Sequence, residues 1–131
     1  MRLLLDTHIA LWLAIARERL TAEEFALIEA PDSELLFSAV SIWELRLKWH
    51  SFHISGERKG PADPKDIHAI LLGYGLAELQ LSAHHAETVL SIPMQHRDPF
   101  DELLLAQAQL EGLRLFTRNA KLISHPLAIA P

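Results

Sequence analysis

Four carboxylates in this 131-residue chain stand where side chains can do chemistry. Asp6 closes the apolar run Leu3-Leu4-Leu5, and Glu44 falls in the first turn of a helix predicted to open at Ser41. Asp98 and Asp101 flank the opening of another helix, with Pro99 between them. Each lies just after a predicted strand or in the first turn of a helix, so a parallel sheet would carry all four to one rim, beyond the carboxyl ends of its strands. Two carboxylates about 5 Å apart, at an effective dielectric near 20, repel by about 3 kcal/mol before screening. A divalent cation removes that cost, and magnesium or manganese suits an oxygen-only ligand set. Water polarised by such an ion can attack phosphorus while the ion neutralises the leaving oxygen. The expected chemistry is metal-dependent phosphodiester hydrolysis, with Asp6, Glu44, Asp98 and Asp101 as metal ligands and catalytic residues.

Three of the four also have a purely structural role open to them. Glu44 completes a capping box with Ser41 and pairs with Lys48 in the favourable i,i+4 order. Asp98 is a good N-cap ahead of Pro99, and Asp101 sits at the third helical position, where a carboxylate suits the helix dipole. Asp6, an acid at the hand-over from strand to helix, has the weakest structural excuse.

Apolar runs and caps define the elements that position these acids. Residues 2–5 read as a short buried strand, followed by a helix over 8–17 with Thr7 as its cap. Thr21-Ala22-Glu23-Glu24 is a capping box opening a helix that ends before Pro31. Residues 35–37 form a second strand, and a helix runs from Ser41 to about Trp49. Residues 53–62, with Ser55-Gly56 and Gly60-Pro61, read as a loop. Asp63-Pro64 opens a helix closed by Gly73-Tyr74-Gly75. Residues 79–81 are a strand, Ser82 caps a helix to about Leu90, and the helix opened by Asp98 closes at Gly112. Residues 113–117 are a strand and 127–130 an edge strand. Short apolar strands alternating with helices define an α/β fold, a three-layer α/β/α sandwich on a mostly parallel sheet, built as one domain over residues 1–131.

Composition narrows the function. Half of the residues are hydrophobic and 22% are charged, and no cysteine is present, which excludes disulfides, thiolate metal sites and cysteine nucleophiles. No apolar run approaches the ~20 residues that span a bilayer. Asp6 and His8 interrupt the apolar start that would otherwise imitate a signal peptide, so a soluble cytoplasmic protein is expected. The net charge is −5. Setting the four candidate ligands apart from the 17 acids leaves 13 against 12 basic residues, so most of the acidity belongs to the expected metal site. Residues 45–60 carry Arg46, Lys48, Arg58 and Lys59 against Glu57 alone, a segment able to meet phosphate. The eight histidines include no HExxH pair and read as surface residues; His96 and Arg97 fall in an exposed loop ahead of Asp98. Trp12, Trp43 and Trp49 read as core or interface. No Walker A, GxGxxG or GxSxG pattern occurs.

Three segments together resemble one family. Leu3-Leu4-Leu5-Asp6-Thr7-His8, Ser38-Ala39-Val40-Ser41-Ile42-Trp43-Glu44-Leu45 with Lys48, and His96-Arg97-Asp98-Pro99-Phe100-Asp101-Glu102-Leu103 are similar to the PIN-domain ribonucleases, most of all to VapC-type toxins of toxin–antitoxin pairs. The resemblance implies that Asp6, Glu44 and Asp101 are metal-binding catalytic carboxylates, with Asp98 beside them as an extra ligand or cap. It implies an RNA substrate, a homodimer and an inhibitory antitoxin, for which the apolar first two helices offer a groove. The family usually adds an acid after the next strand. Here that segment is Phe116-Thr117-Arg118-Asn119, where Asn119 offers a carbonyl oxygen without charge, so a second metal would bind more weakly. Thr7, Arg118 and Asn119 are auxiliary candidates, Arg118 as a phosphate contact. Two other functions stay open: a degenerate PIN domain kept for binding, motivated by Asn119, and a metal-dependent phosphatase, since Asp6 after the first strand resembles a haloacid-dehalogenase nucleophile although His8 stands where those enzymes want a second acid.

Overall fold

Three consecutive leucines start the sheet because their side chains must alternate between its faces. In the computed structural model, which describes residues 1–131, strand β1 (Arg2–Leu5) sends Leu3 and Leu5 into one apolar cluster and Leu4 into another. Strand β2 (Glu34–Ser38) divides Phe37 and Leu36 in the same way, and β4 (Arg114–Phe116) divides Phe116 and Leu115. Strands β3 (Ala77–Leu79) and β5 (Ala128–Ile129) complete a five-stranded sheet of order β3-β2-β1-β4-β5. All four pairings are parallel, with Leu4 aligned to Leu36 on one side and to Leu115 on the other.

Helices cover both faces, giving the α/β/α sandwich. The cluster around Leu3, Leu5 and Phe37 is closed by Ile9 and Leu13 of α1 (Thr7–Ile15), Ile28 of α2 (Ala22–Glu29), Leu45 of α3 (Ala39–Trp49) and Ile67 and Leu71 of α4 (Pro64–Gly73). The cluster around Leu4 and Leu115 is closed chiefly by Leu104, Leu105 and Ala108 of α6 (Pro99–Glu111), with the short α5 (Ala83–Glu87) against that helix. The chain builds β1, β2 and β3 outward in one direction, then returns to place β4 on the other side of β1. The order therefore reverses between β1 and β4, the place where open parallel sheets form a crevice.

Several element boundaries differ from the sequence reading. Helix α1 begins at Thr7 with Asp6, not Thr7, as N-cap, and ends at Ile15; β3 lies two residues before 79–81; α5 stops at Glu87. The largest shift is at α3, which starts at Ala39. Ser38 keeps the extended backbone of β2 and its hydroxyl accepts the Val40 N–H, so strand passes to helix with no intervening turn. Ser41 is thus inside the helix, and Glu44 is a mid-helix residue rather than the acid of a capping box. The Thr21 box is formed as expected, with Glu24 reaching back to the Thr21 N–H.

Buried polar side chains tie the layers together. Ser38 donates to Gln107 Oε1 at 2.5 Å, and Gln107 Nε2 donates to the Gln80 carbonyl, fastening the end of β2 to α6. His85, expected on the surface, is buried. Its Nδ1 accepts the Ser82 N–H, so its Nε2–H donates to Glu111 at 2.9 Å. Gly112 ends α6 in the left-handed region, at φ 67°, where a Cβ would meet no neighbouring atom but the backbone itself disfavours one. Gly112→Ala is expected to cost about 1–2 kcal/mol, read as a lower urea midpoint at unchanged slope; an unaltered midpoint would contradict this.

Candidate active site at the β1–β4 crevice

Asp6 leaves β1 at the crevice and is almost fully buried, 5% exposed. Its N–H donates to the Phe116 carbonyl, continuing the β1–β4 ladder by one residue. Its two carboxylate oxygens are held separately, one by the Thr7 N–H at 2.7 Å and the other by the Thr117 hydroxyl at 2.7 Å. Thr117, wholly buried just past β4, also accepts the Asn119 N–H through the same hydroxyl. The carboxylate is thereby aimed by both sides of the crevice. Thr117 is a positioning residue that the sequence reading passed over; the available signal was a hydroxyl directly after an apolar strand at the same rim.

Asp98 caps α6. Its Oδ1 accepts the N–H groups of Phe100 and Asp101, and Oδ2 makes no hydrogen bond. Asp101, buried at the first turn of α6, keeps Oδ1 free of hydrogen bonds while Oδ2 lies 2.9 Å from His96 Nε2. An ionised carboxylate can only accept, so the facing nitrogen of His96 carries the hydrogen. Burial pushes the Asp101 carboxyl above its ordinary range; the His96 hydrogen bond opposes this, and the negative charges of Asp98 and Asp6 reinforce it. His96, expected in an exposed loop, instead orients Asp101, and its Nδ1 is buried without a partner.

Glu44, in the middle of α3, is reached through Thr7. Thr7 Oγ1 lies 2.8 Å from Glu44 Oε1 and 2.9 Å from Ser41 Oγ. The carboxylate can only accept, so the single Thr7 hydrogen goes to Glu44 and Ser41 supplies the hydrogen of the second contact. Lys48 lies 3.7 Å from the other Glu44 oxygen. Thr7 thus holds Asp6 through its backbone and Glu44 through its side chain. The structure gathers Asp6, Asp98 and Asp101 into one electrostatic group and attaches Glu44 to it through Thr7.

The auxiliary candidates divide. Asn119 shares with Asp6 the wall of a cavity of about 270 Å³, and its side-chain oxygen accepts the Lys121 N–H, capping the following turn. Arg118 is not free to meet phosphate. Its guanidinium grips Glu24 with both a direct ion pair and an Nε hydrogen bond of 3.0 Å, donates to the Arg19 carbonyl, and stacks over Trp12 at 4.5 Å. The cause is Glu24, 3% exposed after completing its capping box, which needs a cation where it is buried.

Can these residues hold a metal? No three His, Asp or Glu side chains are close enough together to enclose an ion as they stand. The donor set nevertheless suits a hard cation. Asp101 Oδ1 and Asp98 Oδ2 are unoccupied, each Asp6 oxygen keeps a further lone pair, and Asp101 is desolvated and repelled by Asp98 and Asp6. Burial and like-charge repulsion at Asp101, only partly offset by His96, work against the ionised carboxylate.

The PIN domain profile matches residues 3–126, and the chain belongs to the PIN domain family. The structure is similar to VapBC2 of Rickettsia felis, solved bound to a DNA fragment from their promoter, with a TM-score of 0.61 and 18% identity, covering 100% of this chain and 98% of that one. It is similar to a toxin–antitoxin complex from Klebsiella pneumoniae, also at TM-score 0.61, with 21% identity and 96% and 94% of the two chains covered. No curated protein matches the chain in sequence.

The Glu24–Arg118 clamp generates a prediction about stability. The Arg118 hydrogen bond holds the Glu24 carboxyl below its ordinary value against the opposing effect of burial. A depressed folded-state value means the stabilisation is present above the ordinary glutamate range and is lost as pH falls through the lower folded value. Arg118→Ala is expected to destabilise the protein by about 1–3 kcal/mol at pH 7, discounted because the guanidinium is 42% exposed. The gap between wild type and variant should narrow in acid, leaving the part owed to the Arg19 carbonyl and Trp12 contacts. Urea titrations at pH 7 and pH 3 check this, and a gap that persists unchanged at pH 3 would contradict it.

Proposed function

We propose that the protein is a divalent-metal-dependent endoribonuclease acting as the toxin of a type II toxin–antitoxin pair, with magnesium or manganese as cofactor. The observation that carries this reading is Asp101, buried in the repulsive field of Asp98 and Asp6 at the topological crevice of a parallel sheet. Membership of the PIN domain family and the likeness to two toxin–antitoxin structures support it. On the same grounds the partners are an RNA substrate, an antitoxin protein and a second copy of the chain. The cell compartment is the cytoplasm, in keeping with a fold in which no helix is long and apolar enough to cross a membrane.

Asp6, Asp98 and Asp101 would hold the cation, with Glu44 joining from the Thr7 side. When bound, the cation supplies Lewis acidity toward a phosphodiester and toward water. The chain's own residues do the positioning. Thr7 and Thr117 fix the orientation of Asp6, so its lone pairs point to one place without loss of rotamer freedom on binding. His96 does the same for Asp101 by occupying Oδ2 and leaving Oδ1 open. Lys48 beside Glu44 offsets that carboxylate's charge on the side where a polyanion must approach. Asn119 contributes a neutral amide to the crevice, which favours one cation over two.

The test is cleavage of a panel of structured and single-stranded RNAs by the purified, partner-free chain in manganese, magnesium or chelator. Cutting is expected with either metal and not with chelator. Asp6→Asn and Asp101→Asn should each reduce it by about 100-fold or more, the scale of removing one electrostatic stabiliser from an active site. No cutting in any metal by the folded wild-type chain would overturn the nuclease reading in favour of a binding module.

A further inference from the structure

Beside the acidic crevice, across the wall made by His8 and Trp12, lies an open cavity of about 650 Å³. Its rim carries Arg19, Lys48 and Lys59 against one acid, Glu18. Lys48 is 3.7 Å from Glu44, but neither Lys59 nor the Arg19 guanidinium has an ion-pair or hydrogen-bond partner within the chain.

Lys59 is held on this rim by a built strap. Residues 51–60 fold back along the end of α3, with Lys59 N–H donating to the Ser51 carbonyl and His53 N–H to the Glu57 carbonyl. Arg58 stacks over both Trp49 and Phe52, at 4.2 and 5.0 Å, and donates to the Trp49 carbonyl at 2.6 Å. Gly60 lets the strap press onto α3, since a Cβ there would stand 2.6 Å from the Trp49 nitrogen. Three aromatic or guanidinium groups and a mandatory glycine thus serve to keep one unpaired lysine facing a cavity. The strap fixes the Lys59 backbone at the rim, and its ammonium, without a partner in the chain, is left to meet an anion entering the cavity.

We propose that this cavity is the subsite for single-stranded RNA next to the scissile phosphate, with Lys59 and Arg19 contacting a neighbouring phosphate of the strand. This rests on the nuclease reading for the crevice. The charge sign selects a polyanion, the His8–Trp12 wall that both cavities share places it next to the acidic rim, and the volume is that of a small-ligand site. Phosphate contacts of this kind set register without reading sequence.

The experiment compares the full-length wild type with Lys59→Ala, Lys59→Arg and Gly60→Ala on a mixed-sequence 12-nucleotide RNA. Cleavage is followed in manganese across a salt series, and binding is followed in parallel by fluorescence anisotropy in chelator. Lys59→Ala should raise KM roughly tenfold, with kcat moving much less. It should also flatten the dependence of log(kcat/KM) on log salt by about 0.7, the value for one lost phosphate contact on a single strand. Lys59→Arg should restore both, and Gly60→Ala should follow Lys59→Ala. A cutting wild type whose KM and salt slope ignore Lys59 would overturn the subsite and leave the nuclease intact. RNA binding that depends on Lys59 without any cutting would overturn the nuclease and keep the cavity only as an RNA-binding site. Neither binding nor cutting would overturn both.

Discussion

The hydrogen bond from Thr117 to Asp6 joins the two directions in which the sheet is built, and the rest of the site is placed relative to it. β1 is the strand on which the order reverses, with β2 and β3 to one side and β4 and β5 to the other. Asp6 is the first residue past β1 and Thr117 the first past β4, so their contact closes the crevice at the only point where the helical connections diverge. Because Thr7 N–H takes the other Asp6 oxygen, the start of α1 is fixed by the same carboxylate. Through the Thr7 hydroxyl, α3 is fixed in turn by way of Ser41 and Glu44. One buried acid therefore sets the relative positions of two strands and two helices, and α6 brings Asp98 and Asp101 to meet it.

The buried acids of the molecule follow two opposite regimes. Glu24 is compensated, with a capping hydrogen bond on one side and a guanidinium on the other, and its carboxyl is held below its usual range. Asp101 is uncompensated apart from His96, and its carboxyl is held above its usual range. The first arrangement adds stability at neutral pH; the second spends some of it. Strongly perturbed groups of the second kind cluster at functional sites. A net charge of −5 fits this division, since the excess sits where a cation would cancel it while Arg19, Lys48 and Lys59 line the neighbouring cavity.

The sheet was legible in the sequence because its strands are apolar runs buried on both faces, a pattern that survives without any knowledge of partners. Asp6, Asp98 and Asp101 were legible for a related reason, since chain position relative to a strand or proline specifies their place on the rim. What escaped was decided by long-range partners. Ser41-Ile42-Trp43-Glu44 satisfies the local rule for a capping box, yet Ser38 had already taken that role at the end of β2, freeing Ser41 for Thr7. Arg118 had the right position for a phosphate contact, but Glu24, 94 residues away, claims it. His85 and His96 looked like surface histidines until Glu111 and Asp101 were brought beside them. Local patterns name the donors and acceptors; packing decides which of them meet.

On the proposed function, Asp6, Asp98 and Asp101 are gathered at the cost of stability to hold a hard divalent cation. The most direct measurement is the thermal midpoint of wild type and Asp101→Asn, each in chelator and in saturating manganese. Removing one of three repelling charges should leave the metal-free variant at least as stable as wild type. Manganese should raise the wild-type midpoint by several degrees, as expected for a ligand bound only by the folded state, and leave the variant nearly unmoved. A variant less stable than wild type in chelator, with manganese shifting neither protein or both alike, would contradict the account.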